Sequence, residues 1–271
     1  MTPVHPGPGR ASALAVELLA LAEGAARAAG EILLERWRGP ATGVTTKSSH
    51  TDPASDADRA AEVAIVSRIH AARPDDAIVA EEGGATAGGS GIRWLIDPLD
   101  GTVNYLYGVP QWSVSIAALE GNEAVVGVVH DPVRDELFVA SRGGGAWCGV
   151  ERLSVSSETD LARVLLMTGF SYVAEERVVQ ARQQAQLVAR VRDLRRFGSA
   201  ALDLAWTAAG RADAYLETVA NPWDWAAGVL LVREAGGQVS EVPGVRSGVP
   251  GLLASGPGVH EALFALAHAG A

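Results

Sequence analysis

Apolar positions spaced three and four apart run through residues 12–37 (SALAVELLALAEGAARAAGEILLERW) and predict an amphipathic helix ended by Gly39-Pro40. Residues 41–55 lose that pattern and read as a polar loop. Ser55 then predicts the cap of a second helix, from Asp56 to about Ala72, closed by Pro74. Short apolar runs at 77–80 and 92–96 predict strands, with the Gly-rich loop GGATAGGSG between them. Alternating segments in WSVSIAALEGNEAVVGVVHDPVRDELFVA, joined by EGNE and DPVRDE, predict an antiparallel meander, and RGGGAW a further turn. The second half alternates: a strand at 163–168, helices at 174–192 and 199–209, and a strand at 212–217. A helix from about 223 to 235 ends at Gly236-Gly237, a last strand lies near 251–254 and a last helix at 258–269. No internal repeat interrupts this order. The fold class is α/β (α+β): after a disordered tail at 1–10, residues 11–271 form one domain with two tightly packed halves, about 11–155 and 156–271.

Composition narrows the function classes. A chain of 271 residues, 48% of them hydrophobic, can bury a sizeable core. The net charge of −10 argues against nucleic acid or an anionic membrane as a partner, since both select a basic face. No apolar run is long enough to span a bilayer, and the Pro/Gly-rich start MTPVHPGPGR is unlike a signal peptide, so a cytoplasmic protein is expected. Cys148 stands alone, which removes a disulfide framework and a cysteine zinc site. Lys47 is the one lysine among 22 basic residues, a mild sign that an ammonium group matters there.

Acidic residues gather at the ends of apolar runs. Glu81 and Glu82 end AIVA, Asp97 and Asp100 follow IRWLI within IDPLDGTVNY, and Asp224 lies in NPWDWAAG at a helix start. Each has an ordinary reading as well: a charged loop for the glutamates, an Asx turn for Asp97 and Asp100, a helix cap for Asp224. Together they place hard oxygen ligands from three segments beside buried residues. Carboxylates without Cys or His suit Mg²⁺, Mn²⁺ or Ca²⁺. The six histidines (His5, His50, His70, His130, His260, His268) show no HxxxH or HxH spacing, which argues against zinc, and the Ca²⁺ loop pattern is absent. Mg²⁺ completed by water and a substrate phosphate fits best. Gly101 and Thr102 offer backbone N–H groups to that phosphate, and Gly101 permits a close approach. The sequence contains no GxxxxGK[ST], GxGxxG after a strand, or GxSxG, which disfavours nucleotide triphosphatases, dinucleotide enzymes and α/β-hydrolases.

Four stretches in order resemble the inositol monophosphatases, members of a metal-dependent, lithium-sensitive phosphatase superfamily. They are WLIDPLDGTVNY (94–105), WDWAAGVLLVREAGG (223–237), TKSSHTDPASDAD (46–58) and FGSAALDLAWTAAGRADAYLE (197–217). The likeness spans about 12 to 269 and implies a layered α/β/α/β/α sandwich of the inositol monophosphatase/fructose-1,6-bisphosphatase type, usually a homodimer. It implies two or three Mg²⁺ ions, with Mn²⁺ as a substitute. Glu81, Asp97, Asp100, Asp224 and the Leu99 carbonyl would be metal ligands, with Asp97 bridging two ions. Thr102 with Glu81 would orient the attacking water, which makes Glu81, Thr102 and Asp97 the catalytic set. Asp100, Gly101, Thr102, Ala200 and Glu217 would meet the substrate, the Gly101 and Thr102 amides at the phosphate and Ala200 and Glu217 at the alcohol. Lys47, Asp52 and Asp58 would support the site from a segment that closes over it, and Glu82 would stand behind it or at the surface.

The reaction implied is direct attack of a metal-activated water on a small polyol phosphate, myo-inositol 1-phosphate first. Histidinol phosphate and fructose 1,6-bisphosphate are alternatives within the family, and a non-catalytic phosphate-binding regulator is the alternative outside it. A nucleotide bisphosphate is disfavoured, because relatives acting on it tend to carry a charge after DGT, where this chain has Val103-Asn104. Two departures bear on the substrate-facing wall: VANP before Trp223 lacks the histidine several relatives have, with Asn221 near its place, and Trp225 is bulky after the metal-site aspartate. Tyr105 for Phe is conservative.

Overall fold

The computed structural model describes residues 12–37, 39, 42–47, 53–219 and 221–269. The predicted tail at 1–10 and Asp52 lie outside the described residues. Helix α1 (Ala13–Trp37) leads to a two-residue ladder of β1 (Thr45–Thr46) and β2 (Pro53–Ala54) inside the predicted loop, and then to α2 (Asp56–Ala72). There follow β3 (Ala77–Ala80), β4 (Gly84–Thr86), β5 (Ile92–Asp100) and the short helix α3 (Thr102–Leu106). The meander is β6 (Ser113–Glu120), β7 (Glu123–Asp131), β8 (Glu136–Ser141), β9 (Gly145–Cys148) and β10 (Glu151–Arg152). The second half holds β11 (Leu165–Thr168), α4 (Ala174–Leu187), β12 (Asp193–Arg195), α5 (Ala200–Ala208), β13 (Ala214–Glu217), α6 (Pro222–Glu234), β14 (Gln238–Val242), β15 (Gly251–Ser255) and α7 (His260–Ala269).

Eight strands form one sheet in the order β10-β9-β8-β7-β6-β5-β3-β4, and five form another, β12-β11-β13-β15-β14. Three apolar clusters separate five layers. The first joins Leu18, Leu33 and Ile65 of α1 and α2 to Trp94, Ile116 and Val128 of the large sheet. The second joins the other face of that sheet, through Leu95, Ala117 and Phe138, to α5 and α6 and then to Tyr215 and Leu252 of the small sheet. The third sets Leu187 and Leu263 of α4 and α7 on the far face of the small sheet. This is the α/β/α/β/α sandwich that the resemblance implied. No helix among the described residues is long and apolar enough to cross a membrane.

Several elements depart from the sequence pattern for tertiary reasons. Strand β5 runs on past Ile96 to Asp100, because an irregularity in its pairing with β6 accommodates Pro98. The predicted helix at 174–192 ends at Leu187, and the chain turns into β12, which pairs in parallel with β11. Strand β14 forms from a weakly apolar segment because β15 offers it an edge. The edge strand β4 lies in the Gly-rich loop and pairs with β3.

The middle helices carry the site, and a glycine sets their separation. A Cβ on Gly228 of α6 would stand 2.4 Å from Leu204 Cβ on α5, an atom that moves only with its backbone. Gly228→Ala is expected to destabilise the fold by about 1–3 kcal/mol through overpacking; a denaturant midpoint equal to the parent's would refute this close contact.

Candidate active site

The large sheet delivers the first two carboxylates. Strand β3 runs parallel to β5 with Ala80 opposite Ile96. The Glu81 N–H donates to the Ile96 carbonyl at 3.1 Å, so Glu81 leaves the sheet beside Asp97. Along β5, Trp94 and Ile96 belong to the outer apolar cluster and Leu95 to the inner one. Regular alternation would keep Leu99 with Leu95 and send Asp100 outward. Instead Asp97 pairs with Ser115 and Asp100 with Ser113, so three steps on β5 match two on β6. That extra residue reverses the parity: Leu99 joins the outer cluster and Asp100 faces inward with Asp97. The two serines confirm the face, since Ser115 Oγ donates to the Trp223 carbonyl (3.1 Å) and Ser113 Oγ lies 3.2 Å from Ser199 Oγ.

Helices fix the rest. Asp100 Oδ2 accepts from Ser199 Oγ (2.6 Å) and the Ala201 N–H (2.7 Å), and Oδ1 accepts from the Ala200 N–H (3.2 Å), so Asp100 seats the start of α5. Asp224 stands in the first turn of α6, after Pro222, and its Oδ2 accepts from the Asn221 N–H at 2.8 Å. It therefore closes a capping box and also lines the cleft. Gly101 has φ +94°, and a Cβ there would lie 3.0 Å from the Gln111 carbonyl oxygen. Only glycine turns β5 into α3 at this point. Thr102 Oγ1 lies 3.0 Å from Asp58 Oδ1 and 3.0 Å from the Leu99 carbonyl oxygen. Asp58 is itself held by the Ser55 N–H (2.9 Å) and by Ser55 Oγ at the start of α2. Lys47 pairs with Glu81 Oε1 at 2.9 Å and with Glu82.

One cavity of about 130 Å³ is lined by Lys47, Glu81, Asp97, Leu99, Asp100, Gly101, Thr102, Ala200, Glu217 and Asp224. The structure thus brings together every described residue of the expected site except Asp58, which acts from behind Thr102. Ala200 lines the cavity, but its N–H is committed to Asp100. Glu82 serves the Lys47 pair. Asn221 lines the cavity, whereas Trp225 packs into the middle apolar layer and forms no part of the wall. Three contributors carried no sequence motif. Phe170 and Tyr172 close one side from the loop before α4. Glu62, one turn after Asp58 on α2, accepts from the Glu82 N–H at 2.8 Å and shapes the turn after β3; that spacing was its only signal. Asp203 and Arg196 also line the cavity.

The electrostatics favour a proton or a cation among these carboxylates. Burial pushes Asp97 well above the usual carboxylate range, and Glu81, Asp100 and Asp224 push it further. Glu81 lies within hydrogen-bonding reach of Asp97, a contact two carboxylates keep only with a proton or a cation between them. Asp224 is raised by burial and then by Glu81 and Asp100. Burial lifts Asp100 to about 6 against its three hydrogen bonds. Burial works against Lys47, yet Glu81 and Glu82 outweigh it and raise the ammonium above its usual range, so its charge is committed to them. Glu81, Asp97, Asp100 and Asp224 are the groups that could hold divalent ions. Among the described residues no three carboxylate, imidazole or thiolate groups stand close enough together to hold a metal ion by themselves, so an ion here would draw the rest of its shell from water, carbonyl and phosphate oxygen. Such a donor set fits Mg²⁺, which takes one or two carboxylates.

Comparison with known proteins decides the family. The model of the inositol monophosphatase family matches residues 15–269. The chain belongs to the inositol monophosphatase family. It is 48% identical over 221 residues to Nus factor SuhB of Xylella fastidiosa, covering 81% of this chain and 80% of that protein. The structure of Mycobacterium tuberculosis SuhB has a TM-score of 0.80 at 36% identity, covering 93% of this chain and 95% of its own. Inositol monophosphatase from Anabaena gives 0.78 at 34% identity over 92% of this chain and 94% of its own. The resemblance carried by the four motifs is a family membership that spans the catalytic cleft.

Asp58 anchors two family segments to each other. Asp58→Ala would leave the Ser55 N–H, the Ser55 hydroxyl and Thr102 Oγ1 without their buried acceptor. The expected cost is about 1–3 kcal/mol, read as a lower unfolding midpoint; an unchanged midpoint would show the anchor to be dispensable.

Proposed function

We propose that the protein is a Mg²⁺-dependent phosphomonoesterase that hydrolyses a small polyol phosphate, myo-inositol 1-phosphate before histidinol phosphate or fructose 1,6-bisphosphate. The observation that carries this reading is the convergence of Glu81, Asp97, Asp100 and Asp224 with Gly101-Thr102 on one cavity. When bound, Mg²⁺ supplies positive charge to the phosphate and the leaving oxygen and lowers the pKa of a bound water.

The chain's own groups support water as the nucleophile. The lining contains no Cys or His among the described residues. Its serine and threonine hydroxyls are committed: Ser199 to Asp100, Thr102 at Asp58 and Leu99, and Thr168 to the Leu216 carbonyl at 2.8 Å. Glu81, held by Lys47, is the carboxylate suited to orient that water, and Asp58 fixes the direction of Thr102 beside it. The N–H groups where α3 opens have no intrahelical partners and suit the phosphate oxygens. Glu217 lies on the alcohol side; burial pushes it up to about 7 although Tyr215 donates to it at 2.6 Å. A homodimer, as the family resemblance implies, belongs to the same proposal.

The curated relatives bear the name Nus factor SuhB, which favours a non-catalytic regulatory role as the second reading. The intact acidic set supports the catalytic reading first.

Phosphate release separates them. The wild type is expected to release phosphate from inositol 1-phosphate with Mg²⁺, to stop on chelation, to recover on adding Mg²⁺ back, and to slow with Li⁺. Asp97→Asn is expected to fold and to lose at least about 100-fold in kcat, a barrier increase of about 2.7 kcal/mol. Full turnover in that variant, or no release by the wild type from any polyol or sugar phosphate, would overturn the proposal.

A further inference from the structure

The cavity contains one carboxylate to which the proposed reaction gives no task. Asp203 sits one turn after Ala200 on α5, so the two share a helix face, and both line the cavity. It is 1% exposed. Its Oδ1 has no hydrogen-bond partner among the described residues. The hydrogen bonds it makes come from its backbone, the N–H to the Ser199 carbonyl and the carbonyl from Thr207 Oγ1 at 2.9 Å. Burial pushes its carboxyl well above the usual range and Asp100 and Glu217 push it further, while Arg196, exposed at the rim, pulls it back only from a distance.

Other buried aspartates are treated differently. Asp76 receives Arg73, Ser90 and the Trp94 indole N–H, Asp131 receives Arg134 and two backbone N–H groups, and Asp100 receives three donors. An orphaned buried acceptor costs about 1–3 kcal/mol. Asp203 is the one whose place on the cavity wall lets a ligand supply the donor. Beside it, Glu217 has Oε2 taken by Tyr215, which leaves Oε1 for the cavity.

We propose that Asp203 is a specificity-determining residue that, with Glu217 Oε1, accepts hydrogen bonds from hydroxyl groups of the leaving alcohol. The pair selects hydroxyl-rich alcohols and rejects a second phosphate at that end of the cavity. This inference rests on the phosphatase reading and extends it to a residue the reaction itself does not use.

The test compares Asp203→Leu and Asp203→Asn with the wild type, using Mg²⁺, on inositol 1-phosphate and on phenyl phosphate, which has no hydroxyl to offer. Asp203→Leu is expected to lose about 10- to 100-fold in kcat/KM on inositol 1-phosphate, the worth of one or two buried hydrogen bonds. Its loss on phenyl phosphate should stay below about threefold, and inhibition by free myo-inositol should weaken with the first ratio, while Asp203→Asn falls between. Equal losses on both substrates, at an unfolding temperature like the wild type's, would overturn the proposal. If Asp203→Leu fails to fold, the same ratio measured on Asp203→Asn decides. If the wild type releases phosphate from neither substrate, the phosphatase reading falls by itself. Calorimetric binding of myo-inositol to wild type and Asp203→Asn then judges Asp203 alone, with equal affinities counting against it.

Discussion

Four crowded carboxylates, Asp97 and Asp100 buried and Glu81 and Asp224 half-buried, set the terms for the rest of this molecule. Asp97, Asp100 and Asp224 are each pushed above the normal carboxylate range by burial, and Glu81 adds to the field on all three. Lys47 cannot neutralise the group, because its one charge already serves Glu81 and Glu82. Holding such a cluster together costs native stability, and the proposed divalent ion would offset that cost.

The holding is done by backbone devices that each serve two ends. The extra residue at Pro98-Leu99 turns Asp97 and Asp100 to one face of β5. Asp100 then starts α5, Asp224 starts α6, and Asp58 starts α2 while gripping Thr102. Each of these carboxylates gains a local reason for its position from the chain's own hydrogen bonds. Gly228 lets α6 approach Leu204 of α5 closely, and both helices carry residues that line the cavity. The stability of the middle layer and the shape of the cavity are therefore one problem.

Most of the helices were legible, because α1, α2, α5 and α6 combine an apolar period with a cap or a stop, and the meander alternates between clear turns. Strands that escaped notice, among them β4, β12 and β14, are short and weakly apolar, and exist because a neighbouring strand offers an edge. The metal-type carboxylates were legible because they end apolar runs and sit in specific motifs. Asp203 lies inside the motif at 197–217 without being marked by it, and Phe170, Tyr172 and Glu62 carry no pattern at all. Trp225 shows the opposite error: adjacent to a site residue in sequence, it turns into the core.

The sequence by itself carried the family, through four motifs in order, and through that resemblance the layer order; hydrophobic period and local chemistry marked the elements and the acidic residues that end apolar runs. Only the tertiary structure decided which hydroxyls and amides were already spent, on which side of β5 each aspartate lies, and that Asp203 was left without a donor. Those are properties of pairs far apart in the chain: Asp58 with Thr102, Asp100 with Ala201, Glu62 with Glu82. Hydrogen-bond satisfaction is settled by packing in three dimensions, and no local pattern of residues records it.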